Sequence, residues 1–169
     1  MLFRSGVSGS TPVDLMAYIK EYFQASAMAK VATSAIEARK FGYLLDSDVI
    51  VPNKDELLFV AISQAKALAA AGYRPPVAKP FAAAGRTVLA TIKATLVGMR
   101  DGGFISQHDF HIASLIAEVL CGGDVDAGTP VTEEYLMALE RKHFCGLLEH
   151  PKTQERIMGM LQTGKPVRN

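Results

Sequence analysis

Cysteine is scarce in this chain of 169 residues, which has two thiols, Cys121 and Cys145. Two cysteines are too few for a disulfide scaffold, and they lack the paired spacing of a structural zinc site. This usage favours a reducing compartment, and we expect a cytoplasmic location. A chain of this length can bury enough surface to fold without disulfides or a metal.

Long apolar runs are also missing. A membrane-spanning helix needs about 18 or more consecutive apolar residues, and no segment of the sequence has such a run. The first residues show no sustained apolar stretch behind a basic segment. We therefore predict neither a membrane span nor secretion.

Charge of one sign does not accumulate either, because 18 Lys and Arg residues balance 17 Asp and Glu, for a net charge of +1. Binding to a duplex normally requires a clustered basic face that neutralises several phosphates. The lysines of this chain are instead scattered among acids. We therefore expect a mixed-charge surface and no nucleic-acid partner.

What the sequence has in abundance is signals for helix starts and stops. Ser34 and Glu37, and likewise Ser106 and Asp109, have the spacing of a capping box, and glycines such as Gly122 follow apolar stretches. These signals predict a mainly α fold, a bundle-like domain of about seven helices with at most one short strand near residues 48–51, where the chain is apolar and β-branched. The predicted helices cover approximately residues 12–26, 35–41, 54–71, 87–99, 107–121, 132–149 and 151–161.

Three helix-flanking signals complete this prediction. Thr11 is expected to cap the first helix, with Pro12 at its first position, and the glycine-rich residues 6–10 are expected to form a turn before it. Residues 73–84 contain three prolines, and proline removes a backbone donor and restricts the residue before it. We therefore expect an extended connector at 73–84. It separates helices at 1–72 from helices at 85–131 and 132–169, and we expect all of these parts to form one compact unit.

Several chemically reactive residues are candidates for a site. His108 and His111 are helical neighbours and could form half of a metal site, but no third and fourth ligand is evident, so we favour a polar first helical turn. His143 and Cys145 stand two apart and point to different sides of a helix, which argues against a catalytic dyad. Cys121 ends an apolar stretch and is expected to be an inert, buried thiol. We predict no catalytic residue and no metal ligand.

Two acidic clusters are also candidates for a functional site. Asp46 and Asp48 alternate as at the start of a calcium loop, but the glycine and the closing glutamate of such a loop are missing at the right offsets. Glu133, Glu134 and Glu140 lie in a predicted helix with basic neighbours, where surface pairing explains them. Neither cluster predicts a site.

Two stretches resemble the second half of a crotonase-fold enzyme, the enoyl-CoA hydratase and isomerase family. The first runs from Met28 to Leu44 and contains Ala35-Ile36-Glu37-Ala38, followed by residues 48–52 and the helix at 57–68. The second comprises residues 139–148 and 155–166, similar to the helices that crotonases use to form trimers and to close over coenzyme A. The resemblance implies a homo-oligomer, in which the partners are identical chains, and an acyl-CoA substrate in the intact protein.

Between these stretches, residues 81–131 resemble an insert of the subgroup in which a 3-hydroxyacyl-CoA dehydrogenase precedes a crotonase-like domain in one polypeptide. The motifs at 102–109, 119–124 and 163–169 are also similar to that subgroup. In the family, the amides that bind the thioester oxyanion and the usual catalytic glutamates come from polypeptide before this segment, and NAD binds to the dehydrogenase half. Because Met1-Leu2-Phe3-Arg4 resembles the middle of a family helix, we expect a carboxy-terminal fragment of a fatty acid β-oxidation enzyme, or a gene piece that starts at an internal methionine, and we expect it to be inactive alone.

The resemblance also implies coenzyme A contacts near the carboxy terminus. The family often has an aromatic residue and a lysine in its last helix that reach a neighbour's coenzyme A, and here Met160 and Thr163 stand at those positions. Lys165 retains a positive charge nearby, and methionine can pack against an adenine ring. The cofactor-binding residues expected are therefore Met160, Thr163 and Lys165. The alternatives are an autonomous helical self-association module and a small coenzyme A-binding protein without catalysis.

Overall fold

The computed structural model describes the backbone of residues 12–28 and 30–169, and the side chains from residue 19 onward except that of residue 29. The predicted cap at Thr11, the turn at residues 6–10 and the family-like residues 1–4 lie outside the described residues. Within the described part, the mainly α prediction is confirmed. The elements are seven α-helices and two short strands: α1 Pro12–Ala27, α2 Ala35–Lys40, α3 Leu57–Ala70, β1 Phe81–Ala82, α4 Gly85–Asp101, α5 Gln107–Cys121, β2 Pro130–Val131, α6 Glu133–Leu148 and α7 Pro151–Thr163.

The strands differ from the sequence prediction. Residues 49–51 lie outside helices and strands. The two strands are found instead at β1 and β2, which pair antiparallel with Phe81 opposite Val131. Each strand has two residues, too short for the alternating pattern that reveals a strand in a sequence. The pairing is extended by a hydrogen bond from Ala83 N to Thr129 O of 2.9 Å.

Helix ends follow the capping signals closely. At the start of α5, the Ser106 hydroxyl accepts from Asp109 N at 3.0 Å, and the Asp109 carboxylate accepts from Ser106 N at 3.3 Å, which completes the predicted capping box. At the start of α2, Ser34 accepts from Glu37 N, but the Glu37 carboxylate accepts from Thr33 N and the Thr33 hydroxyl, both at 2.7 Å. The reciprocal half of that cap therefore falls one residue earlier than predicted.

The chain forms two compact units, one of residues 31–78 and one of residues 12–28, 30 and 79–169 among those described. The second, larger unit has the buried core, which lies mainly where α4 packs against α5 and α5 against α1. Burying a large aliphatic side chain contributes about 1.5–3 kcal/mol to folding relative to its exposed form. The larger buried hydrophobic side chains among the described residues are those of Ile19, Phe23, Leu89, Ile92, Leu96 and Val131.

A glycine at the end of α5 allows a close approach within this core. Gly122 has φ of 90°, a left-handed conformation that strains other residues. A Cβ atom added there would lie 2.6 Å from Ala83 Cβ, closer than real side chains approach. The residue next to β1 can therefore pack directly against the end of α5 because Gly122 has no side chain.

The smaller unit, residues 31–78, contains α2, a 3-10 turn at Lys54–Glu56 and α3. Arg39 organises it, because its Nη2 donates to the backbone oxygens of Asp46 at 3.1 Å and Asp48 at 2.9 Å. No residue of α3 is buried, although the helix is rich in Leu, Ala and Ile. This unit therefore has turns held by polar contacts and an apolar helix open to solvent.

None of the helices described at residues 12–28 and 30–169 is long and apolar enough to cross a membrane.

Candidate functional site

The larger unit has an apolar groove. Its walls come from α1, α4, α5, α7 and the residues after α7, and its volume is about 1030 Å³. The apolar wall residues include Phe23, Ile92, Leu96, Ile116, Ile157 and Met160. A volume of this size matches pockets that bind small organic molecules, which range over about 300–1,000 Å³.

Arg156 of α7 organises one side of this groove. Its Nη1 donates to Asp109 Oδ1 of α5 at 2.8 Å, and both side chains are only 18% exposed. Its Nε donates to Asn169 Oδ1 at 2.7 Å, and its Nη2 donates to the backbone oxygen of Asn169 at 3.1 Å. One guanidinium therefore joins α5, α7 and the last residue of the chain.

The residues after α7 fold back along that helix. Gly164 ends α7 in a left-handed conformation with φ of 67°, which reverses the chain direction. Val167 then packs against Gly159, at a place where any side chain on residue 159 would collide with it. Asn169 Nδ2 donates to Glu155 Oε2 at 2.7 Å and to Lys152 O at 3.1 Å. The position of residues 164–169 is thus fixed by packing and by hydrogen bonds.

Three histidines meet where the first turn of α5 contacts the start of α7. The rings of His108 and His150 stack with centroids 4.4 Å apart, and His111 lies 6.4 Å from His108 and 6.0 Å from His150. His108 is buried, with Nε2 at 3.0 Å from the Thr153 hydroxyl, and its Nδ1 has no hydrogen-bond partner among the described residues. Among residues 12–28 and 30–169, however, no group of three or more His, Cys, Asp or Glu side chains is arranged to hold a metal ion.

The electrostatics of this region favour a neutral His108 and an ionised Asp109. Burial lowers the pKa of His108, and the nearby charges of Arg156, His150, His111 and Lys152 lower it further. For Asp109, burial alone would raise the pKa, but hydrogen bonds from Arg156 and Ser106 outweigh burial and bring the pKa below its ordinary value. Protonation of either group is therefore disfavoured in the folded chain.

The predicted coenzyme A residues lie at and beyond the end of α7. Met160 lines the groove and is 49% exposed. Thr163 and Lys165 are joined by a hydrogen bond of 3.2 Å from Lys165 N to the Thr163 hydroxyl, and the Lys165 side chain is exposed. The geometry offers an apolar surface at Met160 and an exposed cation at Lys165, and the coenzyme A contacts stay a prediction.

The cysteines and the remaining histidine do not converge. Cys121 is fully buried, and burial raises the pKa of its thiol to about 11, although Lys93 acts in the opposite direction. Such a thiol is almost entirely protonated at neutral pH and is a poor nucleophile. His143 Nε2 lies 3.2 Å from Glu118 Oε1, within ion-pair distance but without hydrogen-bond geometry.

Sequence reasoning missed the residues that join α5 to α7. His108 and Asp109 were singled out in the sequence, but their partners Arg156 and His150 were not. Arg156 stands 47 residues from Asp109 along the chain, and no spacing rule relates such positions. The helix cap by itself accounts for an acid at position 109, so the sequence gives no reason to expect a second partner for Asp109.

Comparison with known proteins adds one informative similarity. The chain is 44% identical over 147 residues to a protein of Bacillus subtilis (strain 168) described as a probable 3-hydroxyacyl-CoA dehydrogenase. The match covers 87% of this chain and 19% of the relative, so the chain spans about a fifth of that protein's length. No protein-family model and no solved structure matches the chain.

Proposed function

We propose that this chain is the carboxy-terminal helical part of a crotonase-like domain, in a bifunctional 3-hydroxyacyl-CoA dehydrogenase and enoyl-CoA hydratase of fatty acid β-oxidation. The supporting observation is the 44% identity to a probable 3-hydroxyacyl-CoA dehydrogenase over most of this chain and a fifth of the relative. The motifs at 102–109, 119–124 and 163–169, which resemble the bifunctional subgroup, support the narrower assignment. In this role the chain supports oligomer formation and closes the acyl-CoA site.

Under this proposal the hydration chemistry belongs to polypeptide outside the chain. Preorganised amides that stabilise an oxyanion are worth about 3–4 kcal/mol each, so activity should vanish without them and not merely decline. We expect the purified chain to hydrate crotonyl-CoA no faster than buffer alone does. The reaction is monitored through the loss of the enoyl absorbance. Turnover that resists further purification would refute the proposal.

Coenzyme A recognition is proposed to use Lys165 for a phosphate and Met160 for the adenine. Lys165 is well placed for this because the turn at Gly164 and the bonds of Arg156 to Asn169 fix the backbone on both sides of it. Free coenzyme A should raise the melting temperature of the chain, and Lys165→Ala should reduce that shift. Lys142→Ala, which removes an exposed lysine from α6, is the matched control and should leave the shift intact.

The outcomes of this thermal-shift experiment separate two ideas. A shift that depends on Lys165, without turnover, is what the proposal predicts. If coenzyme A produces no shift, or if the two lysine variants behave alike, the assignment of Met160, Thr163 and Lys165 as cofactor contacts fails. The assignment of the chain to the dehydrogenase polypeptide would survive that failure, since it rests on sequence identity.

A second candidate function is self-association through α3. Leu58 and Phe59 are 71% and 73% exposed, and contiguous apolar surface of this kind favours contact with another chain. Light scattering over a range of concentrations tests it. Association that is abolished by Phe59→Glu supports a self-association module, whereas a monomer at high concentration removes this candidate.

A further inference from the structure

We propose that His108 makes the contact between α5 and the start of α7 a pH-sensitive switch, which opens when the imidazole takes up a proton. The part that opens is the cap and first turn of α7, residues 150–153, while the rest of the helix stays on α5. The inference rests on how α5 and α7 pack and does not depend on the proposed function. It gives the larger unit a local conformational response to acid.

The buried imidazole of His108 has no place for a second proton. The residue is 2% exposed, and its Nε2 lies 3.0 Å from the Thr153 hydroxyl, a group that can either donate or accept. Its Nδ1 is also buried and has no hydrogen-bond partner in the described part of the chain. An imidazolium donates from both nitrogens, so a charged His108 would bury an N–H without an acceptor. Protonation therefore requires the ring to become exposed.

The surroundings of His108 also oppose a positive charge. Its ring stacks on that of His150 with centroids 4.4 Å apart. Burial lowers the pKa of His108 most, and neighbouring charges lower it further, those of Arg156, His150, His111 and Lys152. These charges belong to α5 itself and to the cap and first half of α7, and none of them comes from α1, α4 or α6. The contact between α5 and α7 is therefore the one that a proton on His108 would disturb.

The switch should respond to acid in one direction. With the first turn of α7 detached, His108 is exposed and has a pKa near its ordinary value of 6.5, whereas the closed form has a lower pKa. The open form therefore takes up the proton first as the pH falls. Below about pH 6.5 the ratio of open to closed molecules should rise by up to about tenfold per pH unit, the limit for one proton, until the pH reaches the closed-form pKa.

A second contact should hold the rest of α7 in place under the same conditions. Asp109 follows His108 in α5, and its Oδ1 accepts from Arg156 Nη1 at 2.8 Å, beyond the first turn of α7. Burial acts to raise the pKa of Asp109, but hydrogen bonds from Arg156 and Ser106 bring it below the ordinary value of 3.8. The carboxylate therefore stays ionised where His108 becomes protonated. Because the groove-lining residues of α7 begin at Arg156, this wall of the groove should stay in place.

Amide hydrogen exchange of the full chain, resolved by NMR from about pH 7.5 to about pH 5 and corrected for intrinsic rates, tests the switch. The amides of Thr153 and Gln154, which both donate to His150 O, report on the first turn of α7. Their ratio of open to closed molecules should rise with acid as stated. It should exceed the ratio at the amide of Leu96 throughout, because Leu96 lies in the buried part of α4 and reports on global unfolding.

A pair of histidine variants identifies the group that titrates. His108→Asn removes the imidazole and should abolish the acid response at Thr153 and Gln154. His143→Asn is the matched control, because His143 lies in α6 beside Glu118, and it should keep the response. If His108→Asn does not fold, NMR titration of the His108 ring in the unmodified chain replaces it, and a ring pKa at or above 6.5 would overturn the proposal.

A pair of acid variants tests the second contact. Asp109→Asn removes the charge that faces Arg156, so opening in mild acid should extend to the amides of Met160 and Leu161. Asp101→Asn, at an exposed acid paired with Arg100, is its control and should leave those amides protected. Extension of the opening in both variants alike would contradict the role given to the pair of Asp109 with Arg156.

Three further results would overturn the switch itself. The first is an open ratio at Thr153 and Gln154 that does not change with pH. The second is equality of that ratio with the one at Leu96 at every pH, which would mean that the first turn of α7 opens only on global unfolding. The third is an acid response that survives in His108→Asn, since the proton would then bind elsewhere.

Discussion

Helices α3 and α5 have similar local sequence signals but differ in how much of their surface is buried. Ser106 caps α5 directly, whereas Asn53 caps the 3-10 turn that leads into α3, and each helix is followed by a glycine with positive φ, Gly72 or Gly122. Yet α5 buries four residues and α3 buries none. Capping and apolar composition therefore determine where a helix forms, whereas burial requires a complementary surface that another element must supply.

The largest contrast should come from the same substitution made in each unit. Leu96→Ala in α4 removes a side chain that is 3% exposed and faces α5, which should destabilise the chain by about 2–4 kcal/mol. Leu58→Ala in α3 removes one that is 71% exposed and should change stability by no more than about 0.5 kcal/mol. Urea unfolding followed by circular dichroism measures both. A large loss for Leu58→Ala would mean that α3 is covered in solution.

The glycines after the two helices offer a second, smaller contrast. Gly122→Ala places a methyl group against Ala83 in addition to straining a left-handed backbone, and it should cost about 2 kcal/mol. Gly72→Ala meets no atom within 4 Å, so only the backbone strain of about 1 kcal/mol remains. The difference between the two unfolding free energies measures the close approach at the end of α5. Equal losses would contradict it.

Substitutions at the two capping residues should differ less in their effect on the free energy of unfolding. Ser106→Ala removes the acceptor for Asp109 N and a donor to the Asp109 carboxylate, and should destabilise the chain by about 1 kcal/mol. Asn53→Ala removes a single acceptor, for Asp55 N at 3.1 Å, from a unit whose helix buries nothing. Its effect on global unfolding should be a few tenths of a kcal/mol, and hydrogen exchange at residues 54–58 should report it instead. An equal effect of the two substitutions on global unfolding would argue that both helices belong to one cooperative core.

Much of this architecture could be predicted because helix ends are encoded locally. Ser106 with Asp109, Thr132 and Gly122 each specify a boundary through bonds to atoms within a few residues, and all three act as predicted. The β1 and β2 pairing could not be predicted in this way, since Phe81 and Val131 are far apart in sequence and each strand has only two residues. Local chemistry is short-ranged, and the sequence gives no comparable signal for such contacts.

The candidate site was predictable only in part for the same reason. Met160, Thr163 and Lys165 were identified through a family resemblance, and Met160 lines the groove. The contact of Arg156 with Asp109 joins α7 to α5 and depends on how two helices pack. Nothing in the spacing of the sequence specifies that packing.

The pH dependence of stability provides the smallest and most local test of the α5 environment. His108 has a folded-state pKa below its ordinary value of 6.5, so the unfolded chain takes up its proton first as the pH falls. The contribution of neutral His108 is therefore fully present above about pH 6.5 and declines as the pH falls from there toward the folded-state pKa. Urea midpoints should decrease over this range, and His108→Asn should flatten the slope.

The groups that face His108 make this prediction specific to the contact between α5 and α7. Besides burial, the charges of Arg156, His150, His111 and Lys152 lower the pKa of His108, and the Thr153 hydroxyl contacts its Nε2. His150→Asn removes the stacked ring and one source of repulsion, so it should reduce the slope without abolishing it. No residue of α3 contributes to this effect in the described structure, and a substitution such as Leu58→Ala should leave the slope unchanged. An undiminished slope in His108→Asn would show that the pH response arises elsewhere in the chain.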